Sequence, residues 1–405
     1  MTMNTPHTAR ARFGIASALI FLAILIYGLL RPLASSTDAT ARAVLKDCNH
    51  GAANHAPCYE SEVSQLYPKL SVPQIFDVIR RIRSEDSSYQ FCHVLAHKVG
   101  ERVVAEDPDR WVEAIPLNPS SGYCSNGFIH GVIGGRFRAE VLDDATINTF
   151  LPDFRRACEP HDNWDPSDLD KAICYHGMGH LYDFITNAHL DQALLLCARA
   201  VPDQFHRVCV EGVFMQIFQP LEPDDFALIQ QMAVAPTPTT VRKFCASYKD
   251  PEYVGACLRE SWPMYKGMLD GTGAEQYCSG QPNAELEDRC YQGAFSIIGR
   301  QLLAKPDAQA HACSVVPASR KGLCYSVIAD AVLEEDRGDA ARAVAFCGRA
   351  EGTIVDACLT YLIQAARFNF GSNNKQYSDF CAALPPARRS QCGVNNRPPV
   401  NKNIP

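Results

Sequence analysis

Five of the chain's twelve histidines fall at spacings that let their side chains act together. His93 and His97 are four residues apart, as are His176 and His180, and His130 lies between the two pairs. Residues at i and i+4 share one face of a helix. Two neutral imidazoles on such a face offer two ligands to zinc, copper, iron or nickel. The other seven histidines, at 7, 50, 55, 161, 189, 206 and 311, show no such spacing. The segment His93-Val94-Leu95-Ala96-His97 has no glutamate after its first histidine, so the zinc-metalloprotease mechanism is not implied. The expected cofactor is a transition-metal ion, nominally zinc, with copper and iron as alternatives because imidazole suits all three. Glu211, Glu101 and Asp183 are carboxylates that could serve as a ligand or general base, or simply as surface and capping groups. Met215 reads as a core residue or as a soft copper ligand.

The elements that must position these residues are marked by cysteine. The chain has 18 cysteines in 405 residues. Most come as close pairs: Cys48/Cys58, Cys158/Cys174, Cys197/Cys209, Cys245/Cys257, Cys278/Cys290, Cys313/Cys324, Cys347/Cys358 and Cys381/Cys392. The later second members, Cys257, Cys290, Cys324, Cys358 and Cys392, recur at steps of 33, 34, 34 and 34 residues. A fixed period near 34 marks an array of two-helix repeats. In the rung at 338–368, apolar residues lead into Cys347, a polar link follows, and Ile354, Val355, Cys358, Leu359, Leu362 and Ala365 continue at helical spacing. This predicts helix, turn, helix, with a Cys347–Cys358 disulfide stapling the hairpin. Cys92 and Cys124 lack close partners, and the simplest bookkeeping joins them to each other. Asp250-Pro251 and Asp165-Pro166 each read as a capping residue before a proline at the first helical position.

Counted from each second cysteine, Asn126/His130, His176/His180 and Glu211/Met215 sit at +2 and +6, with His93/His97 shifted by one position. Successive equivalent helices would then present them to one surface. Glycine fills +3 at Gly127, Gly177, Gly212 and Gly293, where a small residue lets helices approach closely.

The fold expected from this pattern is all-α: an array of disulfide-stapled αα-hairpins over 41–395, either an open solenoid or a closed α/α toroid. Arg10 and Arg12 precede the uncharged run Phe13 to Leu30, which is about long enough to span a bilayer. Residues 1–12 are expected in the cytoplasm, 13–30 as a transmembrane signal anchor, 31–40 as a linker and 396–405 as a disordered tail. A cleaved signal peptide is the alternative for the N-terminus. So many cysteines predict an oxidising compartment, with the body in the periplasm or extracellular space. A net charge of −7 leaves no basic surplus for phosphates, which argues against nucleic acid as a partner.

The repeat length resembles that of tetratricopeptide and Sel1-like arrays over most of the chain, a resemblance that implies architecture and no chemistry. The segments CHVLAH, CSNGFIHG and CYHGMGH are similar to those of uncharacterised exported bacterial proteins rich in Cys-x-His-Gly segments. CYHGMGH and GFIHGVIGG also resemble the Cys-His-Gly and His-Gly elements of lanthionine-cyclase-like α/α toroids, whose zinc ligands include free cysteines. The functional expectation is a membrane-anchored metal-binding protein with ligands His93, His97, His130, His176 and His180, acting as a metal-dependent hydrolase or oxidoreductase. The alternative is a non-catalytic helical scaffold for a protein or peptide partner.

Overall fold

A computed structural model describes residues 36–392, apart from 50–53, 90, 138–139, 233–235, 266–270, 280, 282 and 372. The expected anchor at 13–30 and tail at 396–405 lie outside the described residues. Among the described residues no helix is long and apolar enough to cross a membrane. The described chain is all α, as expected, without a β-strand.

Eight inner helices position the site: α1 (His93–Glu106), α2 (Gly127–Phe137), α3 (Asp168–Ile185), α4 (Asp203–Phe218), α5 (Pro251–Glu260), α6 (Ala284–Gln301), α7 (Ala318–Glu335) and α8 (Thr353–Phe370). Each of α3 to α7 packs on the next, and α8 packs back on α3. The array is therefore a closed ring of six inner helices, which resolves the choice between solenoid and toroid. Shorter helices, such as Leu190–Ala200 and Ala340–Cys347, lie outside the ring and lead into its members. Helices α1 and α2 pack on each other, and α2 continues the stack from α3.

All nine disulfides follow the expected pairing, including Cys92–Cys124, and none of the cysteines is free. Their Cα–Cα distances run from 5.1 to 5.8 Å, so neighbouring helices are joined where they already touch. Cys347 ends its helix and Cys358 lies in α8, as the repeat pattern predicts. With every thiol oxidised, none of these cysteines can act as a thiolate ligand.

Asp250 caps α5 through a hydrogen bond from the Glu252 amide, with Pro251 at the first position, as expected. Asp165 does not cap α3. The helix starts three residues later, where Ser167 and Asp170 form a capping box. The reason lies in the ring closure: Arg337 binds both capping residues, donating to Ser167 Oγ at 2.9 Å and Asp170 Oδ1 at 2.6 Å.

Glycines set the closest helix contacts, among them Gly131, Gly212 and Gly179, whose added Cβ would lie 2.1 Å from the Cys209 carbonyl oxygen. A Cβ on Gly131 would lie 2.1 Å from the His97 carbonyl oxygen, and one on Gly212 would lie 2.1 Å from that of His176. Helices α1 and α2, and likewise α3 and α4, therefore meet backbone to backbone, and the histidines they carry are brought side by side.

Candidate metal centre

The five histidines form one contiguous cluster with His130 at its middle. Its ring centroid lies 5.3 Å from His93, 5.6 Å from His97, 5.9 Å from His176 and 5.5 Å from His180. One nitrogen each from His93, His97 and His130 lies within 4.8 Å of the others. The cluster therefore divides into a triad able to share one ion and a neighbouring pair, His176/His180, on the far side of His130.

The hydrogen bonds around these rings decide which nitrogen is available. His93 Nδ1 faces the Cys124 carbonyl at 3.2 Å, and His97 Nδ1 faces Glu222 Oε1 at 3.1 Å. His130 Nε2 faces the Ile173 carbonyl at 3.0 Å. Oxygen acceptors of this kind have no hydrogen to give, so each ring donates its own there and keeps its other nitrogen as a lone pair, which in His93 and His97 is the Nε2 that faces the neighbouring ring. His93 Nε2 and His97 Nε2 lie 3.0 Å apart. Two ligands bound about 2 Å from one zinc ion stand roughly 3–3.5 Å from each other, so this separation suits a shared cation. Outer partners that fix the ring tautomer are the usual support of a metal-binding histidine.

The supports are themselves built in. Glu222 is buried at the start of the helix Pro223–Ile229, and its second oxygen accepts from Lys98 Nζ at 2.7 Å. The Cys124 carbonyl is aimed by an unusual turn: Cys124, Ser125 and Asn126 all have positive φ, at 63°, 52° and 55°. Left-handed backbone costs roughly 1–2 kcal/mol per non-glycine residue. Such strain persists only where the surroundings enforce it, as the Cys92–Cys124 disulfide does here. This turn also corrects one expectation. Asn126 precedes α2 instead of belonging to it, and it is buried while accepting from Asn118 at 2.7 Å, so it does not share the His130 face.

Burial, followed by repulsion from neighbouring imidazoles, holds His93, His130 and His176 well below the usual histidine range. These rings are neutral at neutral pH, the form that binds a metal.

His93, His130 and His176 line a cavity of about 390 Å³ inside the ring, together with Met215 and Glu211. Glu211 accepts from Arg207 at 3.1 Å and lies 3.6 Å from Arg259, so its carboxylate is engaged by two guanidinium groups. Glu101 is tied to Lys98 at 3.0 Å. Glu260 is a wall residue that the spacing of the sequence did not single out. Burial pushes its carboxyl up to about 7, against the pull of Arg259.

Asp183 is fully buried, and neither carboxylate oxygen has a hydrogen-bond partner among the described residues. Burial pushes it up to about 8. The folded chain therefore keeps this proton over a range where the unfolded chain, with a carboxyl near 3.9, has lost it. Its stabilising contribution is complete below the unfolded value and is lost as pH rises toward about 8. Asp183→Asn should gain on the wild type as pH rises from about 5 to about 8, by roughly 3–4 kcal/mol. Paired thermal melts at both ends of that range measure it, and a pH-independent difference would contradict the assignment. The depressed histidines act with the opposite sign, losing stability as pH falls through about 6.5, so the variant-minus-wild-type difference is the informative quantity.

Sequence spacing found all five histidines but missed Glu222, Gln216 and Glu260. Glu222 is 125 residues from the His97 it supports, and no local pattern links them. No protein-family model matches the chain, and no curated protein or solved structure is significantly similar to it.

Proposed function

We propose that the protein is a membrane-anchored, extracytoplasmic metalloprotein in which His93, His97 and His130 hold one transition-metal ion, nominally zinc. The observation that carries this reading is that His93 and His97 both spend Nδ1 outward and bring their Nε2 atoms within 3.0 Å of each other, with a nitrogen of His130 within 4.8 Å of both rings' ligand atoms. Three histidines with a remaining position for water or substrate is a known pattern of catalytic zinc. Bound there, the ion would supply Lewis acidity and lower the pKa of a coordinated water. The cavity beside the triad supports a hydrolytic role. It has room for a small molecule, and Glu260 carries a carboxyl that can exchange its proton near neutral pH. The nine disulfides support an oxidising compartment.

Elemental analysis of the purified full-length chain, after exposure to zinc and dialysis, tests the reading. About one ion per chain is expected in the wild type, and His93→Ala/His97→Ala should lose it because two of three ligands are gone. Circular dichroism should stay helical in the variant, since the disulfides remain. Wild-type protein that emerges metal-free after exposure to zinc, copper and iron in turn would remove the proposal.

A further inference from the structure

Beside the triad, α3 and α4 set a second and softer group of donors face to face. His176 Nδ1 lies 3.1 Å from the Val208 carbonyl, so the ring donates its hydrogen there. Its Nε2 lone pair then points at Met215 Sδ, 3.2 Å away. A thioether has no hydrogen to give, so a neutral ring and this sulfur face each other as two lone-pair donors. Both line the central cavity. Their separation is enforced by the backbone contact at Gly212, which leaves α3 and α4 little freedom to part.

His180 follows one turn along α3, with its ring centroid 4.9 Å from that of His176. Its orientation is set from outside. Gln216 donates its amide hydrogen to Asp225 Oδ1 at 2.8 Å and so turns its oxygen to His180 Nδ1 at 2.7 Å. His180 donates there through Nδ1, and in the neutral ring Nε2 is then the atom able to coordinate. The donor group is thus two imidazoles and a thioether without a carboxylate. Glu211, one turn before Met215, is held by Arg207 and Arg259. Thioether sulfur favours monovalent copper, whereas zinc prefers imidazole, thiolate and carboxylate.

We propose that His176, Met215 and His180 form a second metal site, separate from the triad, that takes copper(I). His130 divides the two sites. The proposal goes beyond the zinc reading and does not depend on it, because no donor is shared.

The test is an anaerobic copper(I) titration of the full-length, detergent-purified protein against the chromogenic chelator bicinchoninate, with and without saturating zinc. About one copper(I) per chain should bind and resist displacement by zinc. Met215→Leu conserves volume and should weaken copper(I) by roughly tenfold or more while leaving zinc stoichiometry unchanged. His180→Gln provides an independent loss at a different position. His93→Ala/His97→Ala should keep copper and lose zinc. Wild-type copper affinity in Met215→Leu would overturn the proposal and leave the methionine as packing. Copper lost from the triad variant but retained by Met215→Leu would assign it to the triad instead.

Discussion

Full reduction of the nine disulfides should unfold the body of the protein at ambient temperature. Each bridge closes a loop of 10 to 32 residues. Closing a loop of this size removes about 2–4 kcal/mol of denatured-state freedom in the chain-entropy account. Nine such terms sum to roughly 25 kcal/mol, above the 5–15 kcal/mol by which domains are typically stable. Far-UV circular dichroism with and without a strong reductant measures the effect, and an unchanged melting temperature would show that packing alone carries the fold. The bridges are not equivalent. Cys92–Cys124 spans the longest loop and holds the left-handed turn whose carbonyl orients His93. Cys92→Ser/Cys124→Ser should therefore weaken zinc binding even under conditions where the chain remains helical. Removing Cys381–Cys392, far along the chain, should leave binding intact.

The parts of this molecule that were legible in the sequence are those whose cause is local. A disulfide across a short turn, an aspartate before a proline at Asp250, and two histidines four residues apart all express themselves within one hairpin. The period of 34 residues adds the same hairpin again, so the pairing could be written down rung by rung. What escaped was set by contacts between distant segments. Asp165-Pro166 has the form of a helix start, but Ser167 and Asp170 take that role because Arg337 holds them from 170 and 167 residues away. Asn126 has the right offset for the histidine face, yet the disulfide turns the backbone left-handed there and places the residue before the helix. The division of five histidines into a triad and a pair depends on Glu222 and Gln216, which reach α1 and α3 from other helices across 125 and 36 residues of chain. Closure itself left no local mark. It rests on α8 returning to α3, and on Gly371, where a Cβ would lie 2.8 Å from the Ser167 Cα.

Arg337 is where closure and the candidate metal centre meet, and Arg337→Ala should cost about 5 kcal/mol. The residue is 2% exposed and makes contacts to three separate segments. It donates to the Asn369 carbonyl at 2.7 Å and the Ser120 carbonyl at 3.1 Å, besides Ser167 and Asp170. Removing it strands the Asp170 carboxylate in a poorly solvated place and leaves two carbonyls without their donor. Arg337→Lys should rescue little, because a single ammonium cannot reproduce the flat fork that serves the four acceptors at once. The loss should also reach the histidines. The loop through Ser120 and Ser121 leads directly into the strained Cys124 turn, and Arg337 packs against it from the far end of the ring. Zinc affinity in Arg337→Ala should therefore fall together with thermal stability, although no ligand has been touched. A variant that melts early but binds zinc like the wild type would separate the two. The turn would then owe its shape to the Cys92–Cys124 bridge alone.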